Sequence, residues 1–431
     1  MNYKDEEHFL LINGTVTDGL TFLDPDLCLE IRNGKIISMG PIADYEDKQI
    51  RTIDLKGRLV LPGLINPHHH LYSALATGLA PIGPTNDFNQ ILENLWWHLD
   101  RTLDAESIYY SAMNGLIQSI RYGVTTVVDH HASMLAVNGS LNIIKEVFQK
   151  LGLKGLLCYE VSDRMGEDRL QEQIDENVNF WEENKNADDI QGLFGLHANF
   201  TLSEKTMRMI ADQKPETLPI HIHCGEDKSD FDFCREQGYE GPVHRLNEFG
   251  LLDKGSLLAH CIHMSDKDYE LLNEIKPNVI SNPESNANNN VGTMNIERIG
   301  AYSLGTDGMT GNILGTLRSH FLLRNGNVNE PLNVLYQHAS AITDPYFPGS
   351  GKIEPGAPAD LAICNYAPVT PITLDNLFYH LVFGVQGKEM QMTISKGKII
   401  FADNKIQNID EQEANKEIAR AVKKLHGNYY A

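Results

Sequence analysis

The chain has 431 residues, enough for two or three domains at roughly 150 each or for one large α/β barrel with attachments. Hydrophobic residues make up 42% and charged residues 22%, so an ordinary folded chain with a sizeable core is expected. With 36 basic against 58 acidic residues the formal charge is −22, which excludes nucleic acid or an anionic membrane surface as the main partner.

In chain order, the acidic start at 1–10 lacks a basic region and a small-residue cleavage site, so no secretion signal is expected. Asn13-Gly14 and Asn33-Gly34 follow β-favouring runs and read as hairpin turns, because a tight turn of this kind needs positive φ. The same texture returns around Lys396-Gly397, so both chain ends, 1–58 and 354–409, are expected to build one small β-sandwich; two unrelated hairpins are the alternative. Between them, 59–353 alternates apolar strands with amphipathic stretches such as 105–122 and 265–275. The strands are expected at 59–65, 125–129, 155–159, 192–196, 219–223, 256–260, 278–281 and 301–305. This is an α/β pattern with parallel strands; eight of them fit a TIM-like (β/α)8 barrel, with a doubly wound open sheet as the alternative. A charged helix is expected within 410–431. No apolar run approaches the roughly 18 residues that span a bilayer, so no membrane is implied. The six cysteines form no C-x-x-C pair and read as reduced buried thiols of a cytoplasmic protein.

Many of the histidines fall at the C-terminal ends of these strands, where barrel enzymes carry their active sites. In Asn66-Pro67-His68-His69-His70, strand alternation puts His68 and His70 on one face and His69 on the other. Two imidazoles so spaced can bind one divalent ion; a polar turn with incidental histidines is the alternative. His221 and His223 repeat the spacing, and Glu226 follows within reach of whatever is bound, unless this is merely a polar strand end. His260 and His263 close the next apolar strand, and Asp307 lies in Gly305-Thr306-Asp307-Gly308. A lone His or Asp at such a place is often structural, but four such sites together supply several N/O ligands. Without thiolate, they suit zinc, iron or manganese.

These motifs resemble the amidohydrolase superfamily, in its cytosine-deaminase-like and chlorohydrolase-like (ATZ/TRZ) branch. Pro62-Gly63-Leu64-Ile65-Asn66-Pro67-His68-His69-His70 is similar to the first-strand signature, His223-Cys224-Gly225-Glu226 to H-x-x-E, and Ala259-His260-Cys261-Ile262-His263 to A-H-x-x-H. Gly305-Thr306-Asp307-Gly308 resembles the eighth-strand motif, and 353–361 the re-entry into a β-sandwich. The segments 94–101 and 128–133 look most like SsnA-type aminohydrolases.

The resemblance implies that His68, His70, His223 and Asp307 hold one divalent metal, zinc first, with iron or manganese also admitted. It implies that His260 polarises the attacking water, that Asp307 accepts its proton, and that Glu226 shuttles a proton to a ring nitrogen and then to the leaving amine. His221 and His263 take supporting places behind the ligands. The expected fourth strand carries no lysine, which favours one metal and deaminase chemistry on a small heterocyclic or amidine-like molecule. Displacement of halide, opening of a cyclic amide, or a non-catalytic binding barrel are the other outcomes. His197 matches a substrate-contacting position. Arg164 lies where relatives anchor substrate, unless it is a solvated loop cation, and Trp96 either lines the pocket or packs the first helix. The branch's usual H-x-P-x-S-N is here Ser281-Asn282-Pro283-Glu284-Ser285-Asn286. Glu284 is therefore expected to add negative charge at the mouth and to favour a cationic or amine-bearing substrate. Family habit implies a homo-oligomer, a dimer or larger.

Overall fold

The computed structural model describes residues 8–46 and 49–431, so the first seven residues of the acidic start read at 1–10 lie outside the described residues. Eight parallel strands form the central layer: Leu64–His69, Val124–His131, Lys154–Tyr159, Phe194–Ala198, Ile220–Cys224, Leu257–His260, Asn278–Ser281 and Ser303–Leu304. The first three pair in one sheet and the last five in another. Single bridges, Val161 to Leu196 and His69 to Asp307, join the two sheets on both sides. The second junction is hydrogen-bonded: the amides of Thr306 and Asp307 both donate to the His68 carbonyl at 3.0 Å. The eight strands make a (β/α)8 barrel of the kind expected, and each expected strand corresponds to one of them.

The first strand differs from expectation. The run 59–65 is broken at Gly63. Leu59–Pro62 pairs antiparallel with Leu361–Cys364 outside the barrel, while Leu64–His69 enters it. A Cβ at Gly63 would lie 2.4 Å from Thr125 Oγ1 and 3.0 Å from the Asp360 carbonyl carbon, so only glycine lets the chain pass between the two layers.

Both chain ends build the β-sandwich. Its seven-stranded sheet runs Lys405–Ile406, Lys398–Ala402, Met390–Ser395, Leu361–Cys364, Leu59–Pro62, Thr15–Thr17, Leu23–Asp24. The four-stranded sheet runs Lys35–Pro41, Leu27–Arg32, His8–Ile12, Thr52–Asp54. Alternate apolar residues from both, among them Phe9, Leu29, Val60, Leu361 and Ile394, share one core. Buried Lys154, near the start of the third barrel strand, pairs with buried Asp360 and donates to Ser350 Oγ at 2.8 Å, tying barrel to sandwich.

Helix Ala105–Arg121 starts at Asp104, whose carboxylate accepts the Ser107 amide at 2.8 Å. The terminal helix Glu411–Tyr429 lies against it, with Arg420 and Lys424 at 2.7 and 2.8 Å from Glu106. Tyr429 is buried, and its carbonyl accepts from His98 Nε2 at 2.7 Å, which anchors the segment roofing the site. Among the described residues no helix is long and apolar enough to cross a membrane. All six cysteines are buried and unpaired.

Candidate active site

The site forms where the strands end and the backbone turns sharply. Asp307 and His260, each at or just past a strand end, have φ of 52° and 77°. The left-handed region is costly for residues other than glycine and is found where surrounding structure holds it. Here the His70 amide donates to the Asp307 carbonyl at 3.2 Å and His69 Nδ1 donates to the same oxygen at 2.8 Å. His69 thus faces away from His68 and His70, as strand alternation requires, and holds the turn that aims the Asp307 carboxylate back at them.

That carboxylate oxygen stands 2.8 Å from His70 Nε2 and 3.4 Å from His68 Nε2. His70 Nε2 is 3.1 Å from His223 Nε2. One donor atom from each of His68, His70, His223 and Asp307 lies within 4.8 Å of the others, and all four residues are buried. The donor set fits a divalent metal. His70 Nδ1 donates to the His130 carbonyl at 2.6 Å and His68 Nδ1 shares a proton with His221 Nε2 at 2.9 Å, so both Nε2 atoms face the centre. His68 Nε2 is buried with no hydrogen-bond partner, a state a metal would relieve. Burial holds the His223 and His68 imidazoles, and His221 behind His68, well below the ordinary range, while at His70 burial is outweighed by the Asp307 carboxylate, which raises it to about 9. Burial opposes ionisation of Asp307, but the neighbouring His68 and His70 imidazoles outweigh it and hold its carboxyl well below the usual range.

His260 and Glu226 stand beside this quartet. His260 Nδ1 donates to Asn286 Oδ1 at 2.7 Å, which leaves Nε2 as an acceptor 3.6 Å from Glu226 Oε2 and 3.8 Å from Asp307 Oδ2. Burial, partly offset by His260, pushes Glu226 up to about 7. A carboxyl so poised is present in both protonation states near neutrality, which suits proton transfer.

The quartet opens into a cleft of about 740 Å³ counting its solvent-open mouth. Its apolar wall comes from Phe88, Leu92, Trp96 and Trp97, on a helical segment with a π-turn at Leu92–Trp96. His197 also lines it. Thr201 Oγ1 gives its proton to the Ala198 carbonyl at 2.9 Å and so accepts from His197 Nδ1 at 2.9 Å, leaving His197 Nε2 free.

Three expectations are corrected. Arg164 is neither a solvated cation nor free to anchor an anion. Its side chain is only 7% exposed, donates to Asp100 Oδ2 at 2.7 Å and to Ser162 Oγ at 3.0 Å, and pairs with Glu160. Glu284 does not reach the mouth; its oxygens accept from Ser319 Oγ at 2.7 Å and Thr316 Oγ1 at 3.1 Å, on a neighbouring helix. Helix Pro283–Asn288 turns that side chain outward and presents Ser285 to the cleft instead. His263 does not support a ligand: its Nε2 donates to the Val291 carbonyl at 2.9 Å and ties down the following loop. The sequence reading missed Asp100, Glu160, His130 and Asn289. Glu160 was visible only as a strand-end carboxylate, and Asn289, which donates to Glu226 Oε1 at 3.3 Å, only as part of the asparagine run.

The sequence pattern of the amidohydrolase family matches residues 59–400. The chain is 28% identical to a 5-methylthioadenosine/S-adenosylhomocysteine deaminase of Thermococcus sibiricus, over 91% of this chain and 93% of that one. It is 27% identical to a 5'-deoxyadenosine deaminase of Methanobrevibacter smithii, over 96% and 98%. An adenosine deaminase of Xanthomonas campestris, solved with bound zinc, has the same fold, with a TM-score of 0.84 at 18% identity over 97% and 98% of the two chains. A matching pattern over most of the length, together with a barrel that gathers the signature histidines and aspartate at one end, establishes that this chain belongs to the amidohydrolase family.

Proposed function

We propose that this amidohydrolase deaminates aminopurine nucleosides altered at the 5' position, with one zinc ion held by His68, His70, His223 and Asp307. Relatives named for 5'-deoxyadenosine and methylthioadenosine support the substrate class, and the zinc-bound neighbour supports the metal. The ion, when bound, supplies Lewis-acid activation of water at neutral pH.

The chain's own groups then move protons. Water adds to the ring carbon bearing the amine; a C–O bond forms and the exocyclic C–N bond breaks. Glu226 carries one of the water's protons to the adjacent ring nitrogen and the second to the departing amine, which leaves as ammonia. His260, with Nδ1 fixed by Asn286, accepts a hydrogen bond from the attacking water through Nε2 and orients it. Asp307 Oδ2, 3.8 Å from His260, takes the proton the water first loses and passes it to Glu226, within 4.8 Å, as the one delivered to the ring nitrogen. His197 and the Trp96 ring hold the heterocycle, and His221 fixes the tautomer of His68. A homo-oligomer acting in the cytoplasm completes the proposal; the six buried thiols suit a reducing compartment.

The observation that carries the proposal is Glu226, placed 3.6 Å from His260 and pushed by burial to about 7. The test is ammonia release by protein stripped of metal and reloaded with zinc, iron or manganese, with Glu226→Gln in parallel. Ammonia that requires metal and vanishes in the variant is the expected result. Bound metal with no ammonia from any aminopurine nucleoside would refute it.

A further inference from the structure

We infer that Asp100 and Glu160 form an acceptor subsite in the cleft that takes a hydrogen-bond-donating or cationic substituent of the substrate and excludes one bearing carboxylate or phosphate; this rests on the aminohydrolase proposal above. The two carboxylates come from separate elements. Asp100 ends helix Trp97–Asp100, and Glu160 lies just past strand Lys154–Tyr159. Both line the cleft, and one guanidinium, Arg164, bridges them. Two buried carboxylates share one guanidinium, which does not supply a donor to every carboxylate oxygen.

The oxygens short of a donor are identifiable. Asp100 is 1% exposed and its Oδ1 has no hydrogen-bond partner. Glu160 Oε2 stands 3.4 Å from His130 Nδ1, which itself has none. Buried acceptors left without donors are costly, so a ligand that brings N–H or O–H groups is favoured there. An anion meets the opposite situation. Among the described residues no lysine or arginine lines the cleft, and Arg164 is engaged by Asp100, Glu160 and Ser162. A carboxylate or phosphate would lose its water beside like charge with no donor in exchange.

The subsite begins next to the reacting centre, since a Glu160 oxygen lies within 4.8 Å of ligand atoms of both His197 and His223. Trp97 lies over the Arg164 guanidinium at 5.3 Å, and its Nε1 is buried without a partner. Its ring adds an aromatic surface that tolerates a cation and a polar edge that can donate to a hydroxyl. Asp230 lines the cleft too but is not part of the subsite, because its oxygens accept from the amides of Gly225 and Phe200 at 2.8 and 3.0 Å.

The test uses the metal-loaded full chain and a matched series: 5'-deoxyadenosine, 5'-amino-5'-deoxyadenosine and adenosine 5'-monophosphate. We expect kcat/KM for the monophosphate to fall at least ~100-fold below that for 5'-deoxyadenosine, and the amine to match or exceed the neutral compound. Asp100→Asn should raise KM for the amine by about tenfold, leave kcat within about twofold, and narrow the gap to the monophosphate by about tenfold. The narrowing separates charge from size. Glu160→Gln is measured alongside, and the unmutated series stands if either variant fails to fold. Equal handling of the monophosphate and the neutral compound, or ratios unmoved in folded Asp100→Asn, would overturn the inference. Should no member release ammonia with any metal, the aminohydrolase proposal fails on its own. Calorimetric binding of the same three compounds then decides the subsite: neutral and amine bound over phosphate supports it, while no order or no binding overturns it.

Discussion

His221 never touches the cleft, yet its removal should weaken metal binding. Its Nε2 lies 2.9 Å from His68 Nδ1, and both rings are fully buried. The rings of His68 and His130 stand edge-on to it, with centroids 4.9 and 4.7 Å away, so Phe is the substitution that keeps an aromatic ring in this cluster. His221→Phe therefore keeps the ring and deletes the hydrogen bond. It leaves His68 Nδ1 a buried unpaired group, at a cost of about 1–3 kcal/mol, and frees the ring to take either tautomer. Since ~1.4 kcal/mol is tenfold in affinity, zinc should bind roughly 10- to 100-fold more weakly. Chelator competition reads the affinity, and thermal unfolding of the metal-free variant separates it from general loss of structure. Zinc affinity within about twofold of the parent in a folded variant would refute the argument that His221 orients a ligand.

Four further outcomes follow from the same geometry. Glu226→Gln should lower kcat by roughly 10²–10⁴-fold while zinc content, measured by atomic absorption, stays unchanged. Asp129 is pushed by burial up to about 7, so between its unfolded value near ~3.9 and that pH the folded chain binds an extra proton and stability falls as pH rises. Asp129→Asn should remove this fall of up to about 1.4 kcal/mol per pH unit, and urea unfolding of metal-free parent and variant at about pH 5 and about pH 8 checks it. Arg164→Met leaves two buried carboxylates unbridged and should cost about 3–5 kcal/mol in denaturant unfolding. Glu284→Gln should cost about 1 kcal/mol through its bonds to Ser319 and Thr316, and kcat/KM across the charge series should not move by more than about twofold.

Much of the site was legible because its logic is local. The alternation of a strand is enough to set His68 and His70 on one face with His69 on the other, and the apolar runs mark where such strands end. Glu226 was legible because three residues past His223 is still within reach of the strand end. Glu284 was misread for the same kind of reason: its position near the seventh strand was right, but one turn of helix from Pro283 to Asn288 decides which residue faces the cleft, and that turn gave Ser285 the inward place. Arg164 was misread because a loop arginine's role depends on the carboxylates that reach it. One of them, Asp100, comes from 64 residues earlier in the chain.

The sequence by itself determined the eight-strand alternation, the β-rich ends and the identity of the histidines and aspartate that gather at one end of the barrel, since these follow from period, turn chemistry and motif. Tertiary structure alone decided the break at Gly63, where two layers leave no room for a side chain, and the closing of the barrel by bridges between its first and eighth strands. It also decided the pairing of Asp100 and Glu160 through Arg164. Hydrogen bonds and buried charges match groups by distance in space, and no local periodicity encodes which distant partner a side chain will meet.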